Sequence, residues 1–145
     1  MKRILAPILL LTLMFPSIAF GETMNDLVWR DGILYKKFST VPFTGKVTGK
    51  KQGSLRNGKR VGPWVTYHEN GQLDYKGTFK DGKREGPWVS YYENGQLESR
   101  TTWKEGKMDG TSVFYDENGQ LLIKETHKNG KLTSKETFKD GVKVK

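Results

Sequence analysis

The chain has 145 residues, a formal charge of +9, a pI near 9.7 and no cysteine. That composition rules out disulfides, thiolate metal sites, a cysteine nucleophile and a lipoprotein lipobox. Only 34% of the residues are hydrophobic, too few for a globule with a thick core but enough for a single-layer sheet with one wet face.

In chain order, residues 1–21 read as a secretory signal peptide. Lys2 and Arg3 form a basic n-region, Ile4 to Phe15 is an apolar core broken at Pro7 and Thr12, and Ala19-Phe20-Gly21 is a small-x-small cleavage site. The apolar run is short for a membrane span; a retained N-terminal anchor is the alternative. Cleavage before Glu22 would export the protein to the periplasm or beyond the cell and take its formal charge from +9 to +7 by removing Lys2 and Arg3.

Residues 22–61 read as a leader with degenerate repeats. RNGKRVG (56–62) matches KDGKREG (80–86), and GSL (53–55) matches GTF (77–79). Phe43 to Gln52 resembles the same unit with a turn deleted, and Arg30-Asp31-Gly32 followed by ILYKKF resembles a further worn copy.

Residues 62–145 are a repeat array. Three 24-residue units follow one another at 62–85, 86–109 and 110–133, and a truncated unit at 129–145 overlaps the last. Self-similarity at a fixed period means stacked units that bury apolar surface against their neighbours. Each unit carries two turn signals. Gly71, Gly95 and Gly119 follow Asn, while Gly82, Gly106 and Gly130 follow Asp, Glu and Asn. Such pairs supply the positive φ of tight hairpins. Two turns per unit predict two strands per unit, and period-2 alternation along Leu73, Tyr75 and Phe79 supports strands over helix. The expected fold is therefore all-β: an elongated single-layer antiparallel sheet of about ten hairpin strands.

A three-residue loop at Glu69-Asn70-Gly71 predicts pairing of Tyr67 with Leu73 and of Val65 with Tyr75. This register puts Val65, Tyr67, Leu73, Tyr75 and Phe79 on an apolar face, with Val89, Tyr91, Leu97 and Trp103, then Val113, Tyr115, Leu121 and Ile123, as its repeats. The opposite face receives Lys76, Arg100, Lys124 and Lys135, a threonine ladder, and Lys80, Lys104, Lys128 and Lys139. Trp64 and Trp88 fall on that cationic face, across from Lys76 and Arg100 and within reach of cation–π contact. Trp64, Lys76, Trp88, Arg100, Lys104 and Lys124 are thus the candidate partner-binding residues, for an acidic protein or an anionic membrane surface. The alternative is a solvated face whose lysines discourage edge pairing.

The pattern GPWxxYxENGQLxxxxTFKDGKxxG, with Tyr-x-Glu-Asn-Gly-Gln-Leu starting at Tyr67, Tyr91 and Tyr115, resembles the MORN-repeat variant of bacterial YwqK-like antitoxins. The resemblance runs from about Asp26 to Lys145. It implies elongated hairpin sheets and, for some members, neutralisation of a toxin; here the export signal would move that role to immunity in the periplasm. More distant eukaryotic MORN proteins imply membrane association and scaffolding.

Catalysis finds no support in these residues. His68 and His127 occupy positions held by Tyr92 and Asp116, and by Phe79 and Trp103, in other units, as ordinary strand substitutions do. Glu69, Glu93 and Glu117 recur in turns and offer no pocket that would separate two carboxyl pKa values. The glycines punctuate hairpins and open no phosphate-binding helix, so neither cofactor nor metal is expected. Aromatics interleaved with lysine suit nucleic acid, but export argues against it. Two readings remain: a protein-binding module, antitoxin- or immunity-like, or an envelope protein whose cationic face touches lipid or another anionic polymer.

Overall fold

The computed structural model describes residues 21–144. The reading of residues 1–20 as the body of an export signal lies outside the described residues. Fourteen strands follow in order: β1 (Glu22–Thr23), β2 (Leu27–Arg30), β3 (Ile33–Lys36), β4 (Gly45–Thr48), β5 (Lys51–Arg56), β6 (Lys59–Tyr67), β7 (Leu73–Lys80), β8 (Lys83–Tyr91), β9 (Leu97–Lys104), β10 (Lys107–Met108), β11 (Gly110–Tyr115), β12 (Leu121–Lys128), β13 (Lys131–Lys139) and β14 (Val142–Val144). One 3₁₀ turn, Met24–Asp26, is the sole helical element among the described residues. Twelve strands form one open sheet in the order β1-β4-β5-β6-β7-β8-β9-β11-β12-β13-β14, with β10 beside β9, and β2 and β3 form a separate hairpin. Pairing is antiparallel throughout except between β1 and β4.

Two kinds of turn alternate. At Asp81-Gly82 both central residues have positive φ, 49° and 81°, which is the two-residue turn whose twist matches a hairpin. At Glu69-Asn70-Gly71 only Gly71 is left-handed, at φ 84°, and His68 and Gln72 close the loop through a 2.8 Å backbone bond. The three-residue loop expected there is present.

The register beyond that loop differs from expectation. Tyr67 pairs with Leu73, but Thr66 pairs with Tyr75 and Val65 with Lys76. Asp74 is an extra residue on β7, a bulge that reverses which side chains face which side. Glu98 and Leu122 repeat it in the next hairpins. Val65, Tyr67 and Leu73 stay together, whereas Tyr75 and Phe79 move to the other face.

That other face carries the core. Leu27, Leu34, Val47, Leu55, Trp64, Phe79 and Trp88 are buried, with Met24, Phe43, Tyr75 and Trp103 packed against them. The hairpin β2–β3 lies over the first part of it, contributing Leu27 and Leu34, each worth about 1.5–3 kcal/mol when fully buried. Backbone bonds from Leu34 to Gly58 (2.9 Å) and from Gly58 to Phe43 (2.8 Å) fasten it to the array.

Successive units are bonded turn to turn. The amide groups of Asn70 and Asn94 donate to the carbonyls of Glu93 and Glu117 at 2.8 and 2.9 Å. On the opposite edge the backbone N–H groups of Gly82, Gly106 and Gly130 donate to Arg60, Arg84 and Met108 of the preceding unit. The carboxylates of Glu85 and Asp109 accept from the backbone of Glu105 and Asn129 at 2.8 and 3.0 Å. The repeat period is thus written into hydrogen bonds that satisfy otherwise orphaned turn groups.

Candidate functional site

Trp64 and Trp88 do not stand on the cationic face. They are 3% and 4% exposed and form the centre of the core. The physical cause is the pair of register changes around them: the bulge at Asp74, and a second irregularity at Gly62-Pro63 and Gly86-Pro87, where the glycines take φ 66° and 70°. These lay each indole flat on a glycine of the preceding unit. A Cβ on Gly53 would lie 2.3 Å from the Trp64 ring, and one on Gly77 2.2 Å from the Trp88 ring. Both indole N–H groups donate to backbone carbonyls, Ser54 and Thr78, at 3.2 Å. Trp88 meets Phe79 edge-on at 5.0 Å, and Trp64 meets Phe79 at 6.0 Å.

The cations over the tryptophans are Arg60 and Arg84, not Lys76 and Arg100. The Arg60 guanidinium lies 5.0 Å from the Trp64 ring centre and 5.3 Å from Phe79. Arg84 sits between Trp88 and Trp103, at 4.6 and 4.7 Å. Burial pushes the Arg60 pKa down from its ordinary value. The signal for these contacts was present in the sequence: Arg stands four residues before both Trp64 and Trp88, and a lone Gly inside a strand marks a close approach.

The stack fades along the chain. At the boundary of the second and third units Met108 replaces Arg84, Ser112 replaces Trp88, and Thr101 replaces Gly77 in the strand beneath. Ser112 is fully buried, and its hydroxyl and the His127 Nδ1 have no hydrogen-bond partner among the described residues. Where the stack ends, Tyr75, Arg84, Trp88, Trp103, Met108 and Phe114 line a pocket of about 290 Å³ beyond the cover of β2–β3.

The remaining sequence-predicted residues do come together. Residues paired across adjacent strands share a face, and the register runs Gln52, Val65, Lys76, Val89, Arg100, Val113, Lys124, Glu136. One row therefore alternates valine and cation across the sheet. Lys76, Arg100 and Lys124 are exposed; Val89 and Val113 are half-buried between them, and the half-buried Val65 precedes Lys76. None of the three cations joins an ion pair among the described residues. Equivalent cations are two strands apart, about 9.4–9.8 Å. Lys104 lies on the same face but at the end of β9, opposite Lys107 and outside the row. Glu136 closes the row, and its carboxyl is held below the usual range by the Lys143 ammonium at 2.8 Å.

His68 is spent on the Tyr91 carbonyl at 2.7 Å. No group of three His, Cys, Asp or Glu among the described residues could hold a metal.

Comparison with known proteins agrees with the geometry. The family model for the MORN repeat variant matches residues 60–81, 84–105 and 108–129. No curated protein matches the chain. Among solved structures, the accessory secretory protein 1, 2 and 3 assembly of Streptococcus pneumoniae aligns over 83% of this chain and 20% of that one, at 17% identity and a TM-score of 0.27. The present chain thus spans about a fifth of that relative's length. The turn ladder, the Trp-on-Gly stack and the family match describe the same period: three tandem stretches of this chain match the MORN repeat variant, within an all-β sheet of hairpins.

Proposed function

We propose that this protein is a non-catalytic binding module whose valine-and-cation row docks an acidic protein partner, as an immunity or antitoxin-like protein docks a toxin. The observation that carries the reading is the row itself: three exposed cations in register, free of ion pairs among the described residues, on a face that the fold does not use for its core. Exposed cations of one sign steer acidic partners and set register with them. The reading places the protein outside the cytoplasm, where residues 1–21 would direct it.

The test is a variant carrying Lys76→Gln, Arg100→Gln and Lys124→Gln, compared with the parent chain for retention of polyglutamate and for recovery of partners from a periplasmic fraction. Loss of both with an unchanged circular dichroism spectrum supports the reading. Undiminished binding refutes it.

A second reading has its own observation. Phe38, Val41 and Trp29 are 101%, 70% and 51% exposed on and beside the β2–β3 hairpin, next to Lys37. Exposed apolar side chains flanked by lysine suit the interface of an anionic membrane. Co-sedimentation with anionic vesicles, lost on Phe38→Ser, would favour that partner.

A further inference from the structure

The spacing of the cation row has a counterpart in peptide geometry. Lys76, Arg100 and Lys124 recur every second strand, about 9.4–9.8 Å apart. A polyproline II chain has three residues per turn and rises about 3.1 Å per residue, so every third side chain returns to one face about 9.3 Å further on. Acidic residues at i, i+3 and i+6 of such a chain meet the three cations one for one, with a mismatch of at most about 0.5 Å per step.

The valines set the second condition. Val65 precedes Lys76 in the row, and Val89 and Val113 stand half-buried between the cations. The latter two form apolar ledges under the two residues separating each acidic pair, where proline or alanine would rest.

Sheet twist decides between a chain and a plane. Adjacent strands rotate by about 20–25°, so Lys76 and Lys124, four strands apart, are turned by roughly 80–100° relative to one another. A flat surface cannot touch all three cations at once. A single extended chain can wind along them, and a polyproline II segment has no internal hydrogen bonds to break as it does so.

We infer that the valine-and-cation row is a docking track for an extended acidic segment of a protein partner, of pattern Asp/Glu-x-x-Asp/Glu-x-x-Asp/Glu, lying across the strands in polyproline II form. This rests on the protein-binding reading above and names the segment of the partner that it engages.

The experiment uses the full chain and three labelled peptides of identical composition, built from Glu, Pro and Ala, with glutamates every second, every third or every fourth residue. Fluorescence anisotropy at low salt reads the affinities. The third-residue peptide should bind about tenfold more tightly than the other two. Arg100→Gln, at the middle of the row, should weaken that peptide about tenfold and erase the preference while the circular dichroism spectrum stays unchanged. Raising salt should weaken binding, since the contact is exposed and ionic. Equal affinity for all three spacings overturns the inference, as does a preference that survives Arg100→Gln. Binding to anionic vesicles but to none of the peptides also overturns it, in favour of a membrane. Polyglutamate binding lost in the triple variant alongside equal peptide affinities would remove the spacing rule yet leave the protein-binding reading standing.

Discussion

Gly77→Ala tests the stack on which the repeat is built. The backbone at Gly77 is not left-handed, so alanine is locally permitted, and replacing glycine should by itself stabilise by about 0.4–1 kcal/mol through the unfolded state. The indole of the next unit opposes this. The added Cβ would stand 2.2, 2.3 and 2.6 Å from three Trp88 ring atoms, so the ring must lift by more than an ångström to reach van der Waals distance. Trp88 has little freedom to lift. It is 4% exposed, its N–H is bonded to Thr78 at 3.2 Å, Phe79 meets it edge-on, and Arg84 lies on it. Overpacking costs about 1–3 kcal/mol, and weakening the indole hydrogen bond about 0.5–1.5 kcal/mol. Net destabilisation of about 0.5–4 kcal/mol is expected after the glycine gain is deducted. Urea unfolding followed by both far-ultraviolet circular dichroism and tryptophan fluorescence measures it. The chain contains its own control: the boundary of the second and third units pairs Thr101 with Ser112 where that of the first and second pairs Gly77 with Trp88. Gly77→Thr combined with Trp88→Ser should therefore cost less than the sum of the single changes. A Gly77→Ala protein as stable as the parent, or additive single costs in the pair, would refute the stacking argument.

Other outcomes follow from the same geometry. Gly95→Val should be far more destabilising than Lys104→Ala, because φ 83° is hostile to a β-branched residue while Lys104 is exposed at a strand end; thermal melts of the two variants compare them. Arg84→Met, which installs the residue found at the equivalent position 24 residues on, Met108, should cost no more than about 1 kcal/mol, the usual worth of a cation over an aromatic ring near the surface, again by urea unfolding. The Asp109 carboxyl accepts the Asn129 backbone N–H, which lowers its pKa below the ordinary 3.8. The depressed folded value means that its contribution is present at neutral pH and is lost as pH falls through that value. The Asn129 amide resonance should therefore titrate with a midpoint below 3.8, and Asp109→Asn should abolish the transition. Mass spectrometry of native protein should find a chain beginning near Glu22 outside the cytoplasm; an intact Met1 in a cytosolic fraction would contradict the export reading.

The sequence by itself determined the period, the all-β character and the three-residue loop at Glu69-Asn70-Gly71, because these depend on local conformational preference, although it expected about ten strands where fourteen form. Asn-Gly and Asp-Gly accept positive φ wherever they occur, and alternation declares a strand before any partner is known. It also placed Lys76, Arg100 and Lys124 at equivalent positions, and equivalent positions in stacked units share a row. It did not determine which residues share a face. One extra residue at Asp74, Glu98 and Leu122 reverses the side-chain alternation partway along each hairpin, and a bulge is chosen by pairing energy across two strands, not by preference within one. That choice sent Trp64 and Trp88 inward, where the missing side chains of Gly53 and Gly77 make room, and left the valines among the lysines. The cover supplied by β2–β3 over the first units is likewise a tertiary outcome. Leu27 and Leu34 are ordinary strand residues until the apolar face of a twisted single-layer sheet gives them something to bury.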